Sequence, residues 1–331
     1  MKVLLYTEGL KVICKSGLGK AINHQIKALE HEKVSYTLDS KDDYDILHIN
    51  TYFPKSYFFA KKAKKNGKKI VYHAHSTEED YKNGFIFANQ TSKLLKKWLI
   101  KCYSLGDVII TPTNYSKKVL SSYKGLEDKT IYAVSNGIEL ELFKKEKTNG
   151  DLRKKYGYKK DDKVIFGIGL YIERKGIVEF VELAKRMPEY KFIWFGYSPL
   201  KAATKKVRKA VNTKLDNLIF AGYVEQEIIK QAMNEFDLYL FPTKEETEGI
   251  PIIEACACKK DAIISDIPIF NDWLEDGKNV YKAKNVDEFE SKIKLFFEGK
   301  LPSVANESYK IAEERDIKKI GKKLKSIYKK V

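Results

Sequence analysis

Residues Leu238–Ala257 read LYLFPTKEETEGIPIIEACA, and they contain the pattern that repeats along the chain. The run LYLFPT predicts a buried strand, KEETEGIP a loop, and IIEACA the start of a helix. A strand that is connected through a helix to the next strand gives a parallel sheet covered by helices. The stretch therefore indicates an α/β protein.

Comparable apolar runs occur in two series. The first series comprises KVLLYT, DILHIN, KKIVYHAH, DVIITPT and TIYAVSN, and the second comprises KVIFGIGL, YKFIWFG, NLIFAGY, DLYLFPT and DAIISD. The two series predict two doubly wound α/β domains, separated within the polar segment KKEKTNGDLRKKYGYKKDDK. In the last segment Ile317, Ile320 and Leu324 recur at helical spacing, so we expect this helix to return to the first domain. The predicted domains are residues 1–148 plus 315–331, and residues 149–314.

Composition limits the class of protein. The 331 residues are 43% hydrophobic, which is typical of globular chains, and the net charge of +17 lies entirely in residues 1–150 and 315–331. Such a basic face attracts nucleic acid or an anionic membrane. The four cysteines, Cys14, Cys102, Cys256 and Cys258, suit small core residues of a reduced, cytosolic protein. No signal peptide or membrane span is expected from the sequence.

Two further loops are candidates for ligand binding, because ligands bind beyond the carboxyl ends of parallel strands. The stretch SGLGK is predicted to open a helix, and its Gly17 and Gly19 would let the backbone approach a phosphate or a sugar, although such glycines are commonly just turns. In GLYIERKGI, Arg174 and Lys175 precede a helix start, and this arrangement suits a diphosphate. The alternative for these two cations is an exposed helix start.

The stretch first quoted contains two carboxylates, Glu246 and Glu254, on either side of a predicted helix start at Gly249 and Ile250. Carboxylates accept hydrogen bonds from neutral hydroxyls, and the backbone N–H groups at the helix start attract an anion. Together they favour a sugar nucleotide as the ligand. Both could instead be ordinary acids of a first helical turn. The run Asp43-Tyr-Asp45 resembles a metal motif but precedes a strand, at the wrong end for a ligand.

The Glu-x7-Glu spacing resembles the retaining glycosyltransferases of family 4, which have the GT-B fold of two Rossmann-like doubly wound domains facing across a cleft. SGLG, HAHS, VSNGIE and RKG support the resemblance in order and spacing over the whole chain. YHAHSTEEDY and NGFIFANQ are similar to segments of bacterial diglycosyldiacylglycerol synthases, which add a second hexose to a glycolipid at the cytoplasmic face of the cell membrane.

The resemblance implies a role for each matching residue. Glu254 would bind the ribose, Glu246 the donor sugar near its third hydroxyl, and His75 the sugar near its sixth hydroxyl. Arg174 and Lys175 would bind the diphosphate with the backbone of Gly249 and Ile250, while Gly17 and Gly19 would let a loop close over donor and acceptor. Thr247 and Glu248 depart from the Gly-Phe pair that is commonest after the first acid.

The implied reaction needs no metal cofactor. A UDP-sugar, UDP-glucose or UDP-galactose, would donate its hexose with retention to a glycosyl-diacylglycerol. Attack would occur on the front face, and the leaving phosphate would take the acceptor's proton. Fixed cations and the helix start at Gly249 would stabilise the departing diphosphate.

Two lysine-rich segments, residues 57–69 and 91–106, suggest a membrane-binding face. In the second, Leu94, Leu95, Trp98, Leu99 and Cys102 form an apolar stripe flanked by lysines, as in interfacial helices. The alternative is a normal helix whose stripe covers the sheet. Two other functions stay open: a family 4 enzyme acting on a soluble or polyprenyl-linked glycan, and a basic nucleic-acid-binding protein, although no nucleic-acid motif is present.

Overall fold

The computed structural model describes residues 1–13 and 16–331, and it describes only the backbone of Lys11 and Val12. The chain forms two compact units. Unit 1 comprises residues 1–81, 90–139 and 314–331, and unit 2 comprises residues 82–89 and 140–313. Each unit contains one parallel six-stranded sheet covered by helices, which confirms the predicted fold class.

In unit 1 the sheet follows the order β2-β1-β3-β4-β5-β6. Its strands are β1 (Lys2–Tyr6), β2 (Ser35–Thr37), β3 (Ile46–Ile49), β4 (Lys69–His73), β5 (Val108–Thr111) and β6 (Thr130–Ala133). Its helices are α1 (Leu10–Ile13), α2 (Gly17–His31), α3 (Pro54–Lys65), α4 (Glu78–Tyr81), α5 (Ala88–Tyr103, whose first two residues fall in unit 2), and α6 (Asn114–Ser121), and a later helix is described below.

In unit 2 the sheet follows the order β12-β11-β10-β7-β8-β9. Its strands are β7 (Val164–Ile168), β8 (Lys191–Phe195), β9 (Leu218–Gly222), β10 (Leu238–Phe241), β11 (Ala262–Ser265) and β12 (Tyr281–Ala283). Its helices are α7 (Asp151–Lys155), α8 (Ile177–Arg186), α9 (Lys205–Val211), α10 (Gln226–Glu235), α11 (Ile250–Ala257), α12 (Val286–Phe297) and α13 (Ala305–Glu314). Short 3-10 turns lie at Glu173–Lys175, Leu200–Ala202 and Pro268–Phe270.

The helix that follows unit 2 in the chain, α14 (Ile317–Tyr328), belongs to unit 1. Its apolar residues, including Ile320 and Leu324, are buried in one cluster with Val3, Leu5 and Leu29. Gly321 brings α14 close to α2, because a Cβ at this position would lie 2.3 Å from the Ala28 carbonyl oxygen. The backbone also joins α14 to the segment after β6, since Ile317 N–H donates to the Ile138 carbonyl at 3.0 Å.

The observed division differs from the predicted boundaries at residues 148 and 314. Residues 140–148 group with unit 2, and so does the segment Lys82–Asn89 that interrupts unit 1 in the chain. This segment is attached to unit 2 through the backbone, because Arg174 N–H donates to the Asn83 carbonyl and Ile86 N–H donates to the Ala202 carbonyl.

Candidate functional site

In unit 2 the order of the strands reverses between β7 and β10, which are neighbours in the sheet although they are distant in the chain. Successive strands run outward on opposite sides of this pair. The crevice beyond the carboxyl ends of such a pair is where open parallel sheets bind ligands. The loop after β7 contains Arg174 and Lys175, and the loop after β10 contains Glu246.

Gly176 allows these two loops to pack in direct contact. Its φ is +76°, and a Cβ there would lie 1.9 Å from the Pro242 carbonyl oxygen, so both the conformation and the space require glycine. Beside it, Lys244 N–H donates to the Arg174 carbonyl at 2.7 Å, and Thr243 Oγ1 lies 3.2 Å from the same carbonyl oxygen. The loop of cations is therefore attached directly to the loop of acids.

Glu246 lies at the centre of these contacts and is 6% exposed. Lys175 Nζ donates to Glu246 Oε1 at 2.5 Å, Thr243 Oγ1 donates to the same oxygen at 2.8 Å, and Arg174 Nη1 lies 3.8 Å from Oε2. Burial alone would raise the pKa of Glu246, but the charges of Lys175 and Arg174 and these hydrogen bonds hold the pKa below its ordinary value. Glu246 is thus an ionised carboxylate paired with two cations.

Helix α11 begins next to this cluster. Gly249 precedes it with φ +92°, and Pro251 lies in its first turn, where a missing N–H costs nothing. Glu254 lies in the same helix and is fully buried. The helix start and both carboxylates are therefore supplied by one loop and the helix that follows it, as the sequence predicted for this stretch.

Sequence reasoning missed two residues of this site, Thr243 and Tyr239. Burial, followed by the nearby Glu254 and Glu246, raises the pKa of Tyr239 well above its ordinary value, so the ring lies near both carboxylates. Its hydroxyl is buried and has no hydrogen-bond partner in the described part of the chain. Tyr239 lies in β10 and Thr243 directly after it, and this strand leads into the loop of Glu246, which was the signal that could have identified them.

His75 lies in unit 1, after β4, and is partly exposed at the end of a stack that includes the buried His48 and His73. The rings of His73 and His75 lie 3.9 Å apart with planes at 7°, and His48 Nε2 lies 3.1 Å from His73 Nδ1. Asn50 Oδ1 faces His75 Nε2 at 3.0 Å, so that nitrogen is the donor and Nδ1 can accept. Burial lowers the pKa of His75 to about 3, which keeps the ring neutral.

Gly17 and Gly19 open a helix, as the sequence predicted for SGLGK. Both lie in the first turn of α2, which Ser16 caps by accepting from Gly19 N–H at 3.4 Å. A Cβ at Gly17 would meet nothing within 4 Å. Both residues have helical backbone, and neither the conformation nor the space at position 17 requires glycine. Of the cysteines, Cys102, Cys256 and Cys258 are buried thiols, and Cys14 lies outside the described residues.

The prediction that the apolar stripe of α5 faces lipid is wrong for most of its residues. Leu99 and Cys102 are fully buried, and Trp98 packs against the sheet of unit 1 with its Nε1–H donating to the Tyr52 carbonyl at 2.6 Å. Leu95 packs there too, so only Leu94, which is 66% exposed, faces away. The ordinary-helix alternative holds because the first sheet needs this stripe to cover its surface.

In residues 57–69 the aromatic side chains also divide. Tyr57 is buried, Phe59 stacks on Tyr6 at 4.6 Å, and Phe58 is exposed. No helix in the described chain has the length and apolar composition to cross a membrane. Among the residues described, no three His, Cys, Asp or Glu side chains are grouped to hold a metal ion. Asp45 of the Asp-Tyr-Asp run instead accepts from Lys2 N–H at 2.7 Å.

Comparison with known proteins assigns the family. Residues 149–319 match the glycosyl transferases group 1, and residues 25–142 match glycosyltransferase family 4. The chain is 39% identical over 335 aligned positions to the processive diacylglycerol alpha-glucosyltransferase of Acholeplasma laidlawii, covering 100% of this chain and 98% of that protein. The chain therefore belongs to the glycosyl transferases group 1 and is a glycosyltransferase.

Other relatives are more distant. The alpha-galactosylglucosyldiacylglycerol synthase of Streptococcus pneumoniae is 23% identical over 70% of this chain and 63% of its own length. Among solved structures, HepE of Anabaena in complex with UDP-glucose superposes with a TM-score of 0.80 at 17% identity, covering both chains fully. This likeness confirms the GT-B type of fold.

Proposed function

We propose that the protein transfers a hexose from a UDP-sugar, with retention, to monoglucosyl-diacylglycerol, giving a diglycosyl-diacylglycerol. The full-length likeness to a diacylglycerol alpha-glucosyltransferase is the observation that carries this proposal. Glucose is the preferred sugar because that relative's name specifies a glucosyltransferase; galactose is the alternative, because the S. pneumoniae relative is named for a galactosylglucosyl lipid.

Unit 2 would bind the donor. In this proposal Arg174 and Lys175 contact the diphosphate, with the N–H groups of Gly249 and Ile250 at the start of α11. Glu254 accepts hydrogen bonds from the ribose hydroxyls. Both cations contact Glu246 beside the start of α11, and this position supports their assignment to the diphosphate.

Glu246 would hold the donor sugar by its third hydroxyl. Its lowered pKa keeps it ionised at neutral pH, so it accepts hydrogen bonds and stabilises positive charge that develops on the sugar. In unit 1, neutral His75 would accept a hydrogen bond through Nδ1 from the sixth hydroxyl of the sugar. Asn50 supports that role because it holds the donor hydrogen on the other ring nitrogen.

In the transfer step, the bond between the anomeric carbon and the β-phosphate oxygen breaks, and the acceptor hydroxyl oxygen bonds to that carbon. The departing phosphate takes the hydroxyl proton. Arg174, Lys175 and the start of α11 stabilise the charge that grows on the diphosphate, since these donors are already in place before the reaction. We propose no metal cofactor for this step.

The test is an assay with UDP-glucose and UDP-galactose against monoglucosyl-diacylglycerol in mixed micelles. We expect a diglycosyl lipid with an α linkage from UDP-glucose, and an unchanged rate after addition of EDTA. Transfer to a soluble or polyprenyl-linked glycan with no lipid product would contradict the acceptor. A chelated enzyme that recovers only with magnesium or manganese would contradict the metal-free step.

We also propose that the protein acts as a peripheral membrane protein at the cytoplasmic face, where nucleotide sugars and the lipid acceptor meet. The excess charge in residues 1–150 and 315–331 supports attraction to anionic lipid. Residues 57–69 and 91–106 contribute lysines to that attraction, although the apolar stripe of α5 does not.

A further inference from the structure

Unit 2 exposes three consecutive apolar side chains in the segment Lys82–Asn89. Phe85 is 42% exposed, Ile86 36% and Phe87 69%. Scattered apolar side chains on a surface need no explanation, but three in a row, two of them aromatic, form a contiguous patch. The neighbouring Gly84 and Ala88 are buried, so the backbone is packed while the apolar side chains are directed outward.

The backbone of this segment is held in an unfavourable conformation. Phe87 has φ +66° and Asn83 has φ +58°, and the left-handed region costs a bulky residue such as Phe on the order of 1 kcal/mol or more. Asn83 and Asn89 are joined by two hydrogen bonds of 2.9 and 3.0 Å, which close the segment. A strained loop that presents aromatic side chains to solvent is typical of a binding surface.

The segment is attached to a basic part of unit 2. Ile86 N–H donates to the Ala202 carbonyl at 3.2 Å, and α9 begins three residues later at Lys205. From Tyr197 to Leu215 the chain contains six basic residues and no acidic residue, although unit 2 as a whole is close to neutral. Between residues 201 and 209 the exposed cations are Lys201, Lys205, Lys206 and Lys209. Val207 and Ala210 bury the other face of α9.

We propose that Phe85–Phe87 and the exposed lysines of residues 201–209, together named the wedge surface, dock on an anionic lipid bilayer. Aromatic and branched side chains insert at the headgroup level, and each lysine near an anionic surface adds electrostatic attraction. This inference rests on the proposed glycolipid function, because that function gives the protein a reason to meet a bilayer.

The wedge surface is connected to the loop that carries Arg174. Arg174 N–H donates to the Asn83 carbonyl at 3.0 Å, and Glu173 lies 3.6 Å from Lys206 Nζ and accepts from Thr204 Oγ1 at 3.4 Å. A bilayer docked on the wedge surface therefore lies beside the proposed diphosphate site. This differs from the surface expected from sequence, which placed docking on α3 and α5.

The experiment measures co-sedimentation with vesicles of phosphatidylglycerol and phosphatidylcholine across a salt series, with pure phosphatidylcholine as the reference. The variant Phe85→Ser/Phe87→Ser removes the apolar part, and Lys201→Gln/Lys205→Gln/Lys209→Gln removes three charges. Matched controls with the same charge change are Lys61→Gln/Lys62→Gln/Lys65→Gln on α3 and Lys93→Gln/Lys97→Gln/Lys101→Gln on α5. The UDP affinity of each variant, measured by calorimetry, shows whether it is folded.

We expect each wedge variant to lower the vesicle partition coefficient at least tenfold, while each α3 or α5 control, whose lysines add only long-range attraction, lowers it less than the wedge lysine variant does. The lysine variant should flatten the salt dependence, and the phenylalanine variant should leave it unchanged, because only the former removes charge. Wedge variants that sediment like wild type, or a larger loss in the α3 or α5 control, would overturn the proposal. The proposal would also be overturned if the wedge variants lost binding to single-stranded DNA, measured in parallel, and kept their binding to vesicles.

The assay in mixed micelles separates this proposal from the proposed function. If wild type makes the diglycosyl lipid but the wedge variants still bind vesicles, the surface is wrong and the function stands. If the wedge variants lose vesicle binding but wild type transfers no hexose to a glycosyl-diacylglycerol, the surface stands and the function is wrong.

Discussion

At the scale of single residues, Glu246 and Glu254 differ in their surroundings although they belong to one motif. Glu246 contacts the cations Lys175 and Arg174, whereas Glu254 is fully buried within α11.

We expect Glu254→Ala to weaken UDP binding at least tenfold, since the proposed ribose partner is lost. Glu246→Ala should bind UDP within about twofold of wild type but lose transfer. Calorimetry with UDP and a transfer assay measure both effects, and equal UDP affinities for Glu254→Ala and wild type would reverse the assignment.

The two carboxamide variants test the same assignment with less disturbance. Glu254→Gln keeps one acceptor oxygen, so its UDP affinity should fall between those of wild type and Glu254→Ala. Glu246→Gln should keep UDP affinity and still lose transfer, because the charge on this group is needed for the step.

Glu246 also gives the stability a pH dependence. A carboxylate whose pKa is lowered in the folded state stabilises the fold above its unfolded pKa, about 4.3, and this contribution is lost as the pH falls through the folded value. The loss of unfolding free energy caused by Glu246→Gln should therefore be largest near pH 7 and shrink below about pH 4.3. Urea denaturation from pH 3 to pH 7 measures it, with exposed Glu141→Gln as control. A loss that stays constant over this range would contradict the ion cluster.

Gly176 offers a matched pair with Gly157. Both have positive φ, +76° and +73°, but a Cβ at Gly176 would collide with the Pro242 carbonyl, and a Cβ at Gly157 would meet nothing within 4 Å. Alanine at either position should cost on the order of 1 kcal/mol of stability for its conformation. Only Gly176→Ala should displace the loop of Arg174 and lower the transfer rate, by at least tenfold. Equal rates for the two folded variants would show that this loop contact does not position the cations.

At the scale of helices and strands, Trp98 and Leu94 of α5 have opposite surroundings. Trp98→Ala removes a packed ring and its hydrogen bond to Tyr52, so we expect a loss of about 3–5 kcal/mol in unfolding free energy. Leu94→Ala should change it by no more than about 0.5 kcal/mol, because Leu94 is exposed. Urea denaturation compares them. A destabilised Leu94→Ala beside an unaffected Trp98→Ala would mean that the helix is turned the other way.

Helix α5 also shows what a sequence can and cannot predict at this scale. The spacing of Leu95, Trp98 and Cys102 predicts a helix with one apolar face, and the helix is present. Periodicity does not say what covers that face, since a sheet and a bilayer require the same pattern. The apolar run of the Phe85–Phe87 segment has no such period, so its exposure could not be foreseen.

The strands were predictable in proportion to their burial. Strands such as β3 and β10 are buried along their whole length, and their apolar runs identify them. The edge strands β2 and β12 were missed, because each has only three residues and neither forms a run of branched or aromatic residues. At the site, the Glu-x7-Glu spacing pointed to both carboxylates and the helix start. The contact of Lys175 with Glu246 joins two loops that are distant in the chain, so no local pattern reveals it.

At the scale of the whole molecule, unit 1 depends on α14, which follows unit 2 in the chain. Gly321→Ala would place a Cβ 2.3 Å from the Ala28 carbonyl oxygen and push α14 away from α2. We expect a loss of about 1–3 kcal/mol, even though alanine is the better helix former. Limited proteolysis followed by mass spectrometry should show unit 1 cleaved before unit 2. The control is Lys322→Ala on the exposed face of α14, and cleavage that starts in unit 2 would contradict this dependence.

Helix α14 completes unit 1 although it follows unit 2 in the chain, and this order has a consequence for synthesis on the ribosome. The surface of unit 1 that Ile320 and Leu324 cover, which includes Val3 and Leu5, emerges early, but the covering helix emerges only after residues 140–313. At about 5–20 residues per second, that interval is roughly 10–35 s. Throughout it the nascent chain has an uncovered apolar surface, which only the last helix to be synthesised can cover. A chaperone that shields the first half until release would therefore raise the yield of active protein.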